Sequence, residues 1–198
     1  MSIKRYFASE DNTITNAFKE NLRLRGTGSN MGASDILEVF SIYGQTIDST
    51  TTSGSQELSR ILVKFPVEGT TAGHIKASRT AGEIPGSGSV DFFLKLYNAR
   101  HGQTVPRNLK VNVLAVSQSW SEGTGLDMDE YKDLGVCNWI ERETATAWEK
   151  IGGDYHTSAY TATNGTMPGY TFTFENGNED LEVNVTSLVE EWLDETQS

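Results

Sequence analysis

The chain has 198 residues and a net charge of −11, which suits one large β-sandwich domain, or at most two small domains, with an acidic surface. Lys and Arg total 16 against 27 Asp and Glu, with no basic cluster, so nucleic acid and anionic membrane are excluded as expected partners. With 36% apolar residues and 19 glycines, and no apolar run near the ~20 residues of a membrane span, the composition predicts short strands joined by turns rather than long helices.

Residues 2–7 read as a short entry strand, and residues 1–25 together as an N-terminal arm or entry strand. The segment Met1-Ser2-Ile3-Lys4-Arg5-Tyr6 lacks the apolar run of a signal peptide, so the chain is expected to be complete and not secreted. Residues 11–24 place Ile14, Ala17, Phe18 and Leu22 at a spacing open to a helical turn or an irregular strand. The strand is favoured, because Asn12, Thr13, Thr15 and Asn16 are weak helix formers. Residues 25–34 are a loop. Residues 35–43 carry Ile36, Leu37, Val39, Phe40, Ile42 and Tyr43 and predict a strand, followed by a Ser/Thr/Gly-rich surface loop over 46–56.

Residues 58–67 predict a strand from the near-alternation of Ile61, Val63, Phe65 and Val67, with Pro66 marking an edge or an end. Gly-rich residues 69–88 hold at most one helical turn near 72–77. Residues 89–98 put Val90, Phe92, Leu94 and Leu96 on one face of a strand; residues 109–119 do the same with Leu109, Val111, Val113 and Ala115. Residues 120–154 are irregular and hold three of the four tryptophans. Strands are predicted over 157–163, 170–175 and 181–185. The Ser187-x-x-Glu190 spacing suggests a capping box opening a short C-terminal helix over 187–193. About eight or nine strands with long polar connections predict a single all-β, antiparallel β-sandwich domain over residues 1–198.

Several segments together resemble the jelly-roll modules called DNRLRE domains. Asn30-Met31-Gly32-Ala33-Ser34 precedes Leu37-Glu38-Val39; Arg60-Ile61-Leu62-Val63-Lys64-Phe65 follows; then come Phe92-Phe93-Leu94-Lys95-Leu96-Tyr97 and Trp120-Ser121-Glu122. The series closes on Val183-Asn184-Val185-Thr186-Ser187-Leu188-Val189-Glu190-Glu191-Trp192. The resemblance runs from about residue 30 to residue 193 and departs before residue 25. It implies a jelly roll, and in a chain without a secretion signal it is similar to stand-alone virion proteins of tailed phages. The implied protein is a capsid decoration, neck or tail component, made in the host cytoplasm. Its implied partners are other virion proteins in several copies, with recognition of a cell-surface glycan as the alternative.

Candidate chemistry is sparse. The loop Gly26-Thr27-Gly28-Ser29-Asn30-Met31-Gly32 has Met31 where a dinucleotide fingerprint needs glycine, and no Lys-Ser/Thr follows as in a phosphate loop. His74, His101 and His156 have no zinc spacing, and there is no Gly-x-Ser-x-Gly elbow, so no catalytic residue and no enzyme activity are expected. Asp127, Asp129 and Glu130 offer carboxylates to a structural calcium, but the full calcium-loop spacing is missing, and no other cofactor is implied. Trp120, Trp139, Trp148, Tyr155 and Tyr160 are candidates for a protein interface or a sugar platform, with core packing as the competing use. Cys137, beside Trp139, reads as a small buried hydrophobe.

Overall fold

The computed structural model describes residues 3–19, 23–45, 54–100, 102, 105–128, 136–156 and 170–194. Among these lie nine strands and two short helices, an all-β-leaning chain with a short C-terminal helix. The strand expected at 157–163 lies outside the described residues. The contacts divide the chain into two compact units, each built from separated stretches of sequence.

One unit comprises residues 8–64 and 116–155. Its sheet has the order β1-β3-β2, with β1 over Glu10–Thr15, β2 over Ser41–Gln45 and β3 over Gly54–Lys64. Both neighbours run antiparallel to β3, in registers from Glu10↔Lys64 to Thr15↔Ser59 and from Ser41↔Leu58 to Gln45↔Gly54. A small hairpin pairs β6 (Glu141–Glu143) with β7 (Thr146–Ala147). The core joins Ile14, Leu62, Trp120, Cys137, Trp139 and Trp148, with Leu58 and Val116 packed against it.

Two expectations change here. The strand anticipated over 35–43 begins only at Ser41, because the amides of residues 38 and 40 go to side chains: the Glu38 amide donates to Thr13 Oγ1 at 3.0 Å and the Phe40 amide to Ser59 Oγ at 2.8 Å. That leaves at Phe40 only the carbonyl bonded to the β3 backbone, at the Ser59 amide. In β3 the apolar residue driven deepest is Leu62, from the Leu58/Leu62 side that meets the tryptophans, while Ile61 and Val63 are half-buried. The apolar alternation over 61–67 therefore pointed at the weaker face. Pro66 follows the end of β3 at Lys64, as a residue without an amide donor should.

The other unit comprises residues 1–7, 65–115 and 156–198. Residues 3–7 form no strand. The single helical turn expected near 72–77 is α1, Ile75–Thr80. Strand β4 (Phe93–Leu96) pairs antiparallel with β9 (Leu181–Asn184), and β5 (Leu109–Val113) with β8 (Tyr170–Phe174). Inward residues alternate as expected: Leu94, Leu96, Val111, Val113, Phe172 and Phe174 pack onto a core of Ile75, Ile84, Leu181, Val183, Val185 and the buried side of helix α2 (Thr186–Leu193).

Helix α2 begins without the capping box. Val185 occupies the cap with no side-chain hydrogen bond; Ser187 is engaged by the Tyr170 hydroxyl, and Glu190 reaches out to Arg79. That pair is bidentate, at 2.5 and 2.8 Å, and ties α2 to α1. The four sheets of the described residues are open, none closing on itself.

Candidate functional site

The loops that carry the tryptophans are fixed by buried amides. β1 is enclosed on both faces, with Asn12, Thr13, Ile14 and Thr15 all fully buried, so each polar side chain on it must find a partner. Asn12 Nδ2 donates to the Cys137 carbonyl at 3.0 Å, and its Oδ1 accepts from the Met31 amide at 3.0 Å. Asn30 is used more fully. Its Nδ2 donates to the carbonyls of Glu122 (2.6 Å) and Cys137 (2.7 Å), and its Oδ1 accepts from the amides of Gly32 (3.1 Å) and Gly125 (2.8 Å). Four backbone groups from three loops thus meet one side chain. A Cβ on Gly125 would lie 1.9 Å from the Asn30 carbonyl oxygen, so the approach requires glycine. Nothing in the sequence distinguished Asn12 and Asn30 from ordinary loop asparagines; only the fold makes them buried hubs.

Trp120, Trp139 and Trp148 are 9%, 6% and 4% exposed. Their rings form the core of this unit, and that burial leaves them little surface for a sugar or a protein. Trp148 Nε1 donates to the Asn138 carbonyl at 2.9 Å, the partner that a buried indole needs. Trp139 touches the surface only indirectly. The Arg60 guanidinium lies 5.2 Å from its ring and 5.5 Å from the ring of Tyr155, and donates to the Gly152 carbonyl. Tyr155 is partly exposed at the outer side of this stack. Of the five aromatic candidates, the structure gathers Trp120, Trp139 and Trp148 in one core and links Trp139 to Tyr155 through Arg60; Tyr160 lies outside the described residues.

Of the acidic candidates, Asp127 is exposed, while Asp129 and Glu130 lie outside the described residues. Among the described residues no group of three or more His, Cys, Asp or Glu side chains is placed to hold a metal ion. One acidic pair does form elsewhere: burial, and then the nearby Glu122, push the Asp11 carboxyl above its ordinary range. Glu122 Oε1 accepts from the Asp11 amide at 2.7 Å, so its role is to anchor its loop to β1. Cys137 is fully buried, and burial pushes its thiol up to about 12, far from the range of a reactive thiolate.

Among the exposed large apolar side chains, which include Phe7, Tyr97 and Ile151 elsewhere, those of β2 lie on a strand. Strand β2 is an end strand of its sheet, with Ile42 49% and Tyr43 77% exposed, and Ile36 and Val39 exposed just before it. Residues 39–47 contain no charged side chain. No known family model, curated protein or solved structure matches the chain. The resemblance therefore rests on the order of the motifs alone, and the surface must be read from its own chemistry. The sequence predicts a strand over the apolar run at 35–43, of which only residues 41–43 fall in β2. That Ile36, Val39, Ile42 and Tyr43 face outward is not written there, because outward and inward strands share one composition.

Proposed function

We propose that this chain is a non-enzymatic structural protein of a virion, a jelly-roll-type module that acts through protein–protein contacts as a capsid decoration, neck or tail component. The observation that carries the contact reading is the exposed, uncharged β2 with Ile42 and Tyr43 outward and Ile36 and Val39 close by in sequence. Unpaired strand edges of this kind are templates for pairing with another chain. The virion assignment and the jelly-roll topology rest on the ordered motifs from residue 30 to residue 193. The glycan alternative loses its main support, since Trp120, Trp139 and Trp148 are taken up by the core.

The buried network suits such a role. Loops fixed by Asn12 and Asn30 give a surface that loses little conformational freedom on docking. Peptide mass spectrometry of purified, washed particles from the source tests the proposal. The chain is expected at a constant ratio to the major capsid protein; its absence from intact particles would overturn the virion role.

A further inference from the structure

We infer that β2 is a self-pairing edge, forming a continuous sheet with β2 of a second copy across a two-fold axis. The inference deepens the contact reading above and rests on it. In the order β1-β3-β2, one side of β2 is bonded to β3, and among the described residues no strand pairs with the other side. Proteins guard such edges with charged side chains, proline or bulges. Several other outer strands follow that rule: β1 opens on Glu10 and Asp11, β4 carries Lys95, and β5 carries Lys110. Strand β8, Tyr-Thr-Phe-Thr-Phe, is uncharged like β2, but its residues alternate between half-buried and exposed, whereas Ser41, Ile42 and Tyr43 of β2 are all exposed. β2 reads Ser-Ile-Tyr-Gly-Gln and has none of these devices.

The occupant follows from charge and register. Each copy carries −11, so a second copy is repelled wherever acidic surface faces acidic surface; the uncharged β2, Ser41–Gln45, is where two copies meet without like-charge contact. Antiparallel pairing about Tyr43 sets Tyr43 opposite Tyr43, Ile42 opposite Gly44 and Ser41 opposite Gln45. An aromatic pair on the axis and a branched residue beside a glycine are favourable cross-strand neighbours. A five-residue edge is about 17 Å long, which places the contact among small interfaces of roughly under 1,200 Å². The dimer is therefore weak and concentration-dependent alone, and strengthened where many copies are held close. It should also tighten as salt rises, because screening over roughly 8 Å at physiological ionic strength weakens the repulsion while the neutral strip loses nothing.

Sedimentation velocity on the full chain, over a wide concentration range and at low and high salt, tests this with Ile42→Lys, Tyr43→Lys and Tyr43→Phe. Exposed positions keep the fold intact, which far-UV circular dichroism checks. The expected result is a monomer–dimer equilibrium that salt favours, that either lysine weakens at least about tenfold, and that Tyr43→Phe preserves. A wild-type chain that stays monomeric throughout, or a dimer indifferent to both lysines, overturns the β2 pairing. Particle association measured with the Tyr43→Lys chain separates that failure from failure of the contact reading. Loss of association by a chain that is monomeric as wild type means the edge takes a different protein, so self-pairing falls and the contact reading stands.

Discussion

Asn30→Ala is the sharpest probe of how the loops of the β1-β3-β2 unit are held. The substitution removes four hydrogen bonds at once. The Cys137 carbonyl retains the Asn12 donor at 3.0 Å, so three groups lose this partner: the amides of Gly32 and Gly125 and the carbonyl of Glu122. Each buried group left unsatisfied costs about 1–3 kcal/mol. Gly32 and Glu122 are only half-buried, so each lies at the low end of that range while the buried Gly125 amide spans it, and the sum is about 3–5 kcal/mol. That is a large part of the ~5–15 kcal/mol of a typical domain. At about 2–4 °C per kcal/mol for a chain of this size, the melting temperature should fall by roughly 6–20 °C.

The assay is urea denaturation followed by tryptophan fluorescence, because Trp120, Trp139 and Trp148 all lie in this unit's core. The midpoint should drop with little change in slope. A loss below about 1 kcal/mol would refute the argument that this one amide holds the three loops. Asn30→Asp sharpens the test, since it keeps the Oδ1 acceptor but sets an oxygen against the two carbonyls. Its buried carboxyl would have a folded pKa raised above the usual ~3.9. The added destabilisation is therefore absent well below that value, grows as pH rises, and is complete above the raised folded pKa.

Three further outcomes are expected. Arg79→Leu should cost about 1–3 kcal/mol, between the ranges for exposed and buried pairs, since the two side chains are only 19% and 12% exposed; a cycle with Glu190→Gln measures the coupling, and additivity would refute it. Hydrogen bonding from Arg79 holds the Glu190 carboxyl below its ordinary 4.5, so this coupling is fully present above that pH and is lost as pH falls through the depressed folded value. Gly152→Ala forces a side chain onto φ +93°, with its Cβ 2.7 Å from Trp139 Cζ2, and should lose at least about 1–3 kcal/mol in thermal melts. Cys137, buried and with its thiol pushed up to about 12, should react with a thiol reagent only at the rate of unfolding; prompt labelling of the native chain would contradict its burial.

Local pattern was enough for much of this chain. The alternation in Leu94/Leu96, Leu109/Val111/Val113 and Tyr170/Phe172/Phe174 determined strands and their inward faces, because a strand's period of two is written in adjacent residues. The weak helix formers of residues 12–16 correctly favoured a strand, observed as β1. The short C-terminal helix is present as expected, although the capping box that pointed to it is not formed. Tertiary structure alone decided the rest. It made Leu62 rather than Ile61 and Val63 the buried apolar residue of β3, because the tryptophans come from residues 120–148, more than fifty positions away. It took Ser187 and Glu190 out of a capping box by offering them Tyr170 and Arg79. It turned Asn12 and Asn30 into hubs, put the tryptophans inside, and left Ile42 and Tyr43 outside. Burial depends on what arrives from elsewhere in the chain, and local sequence does not encode that arrival.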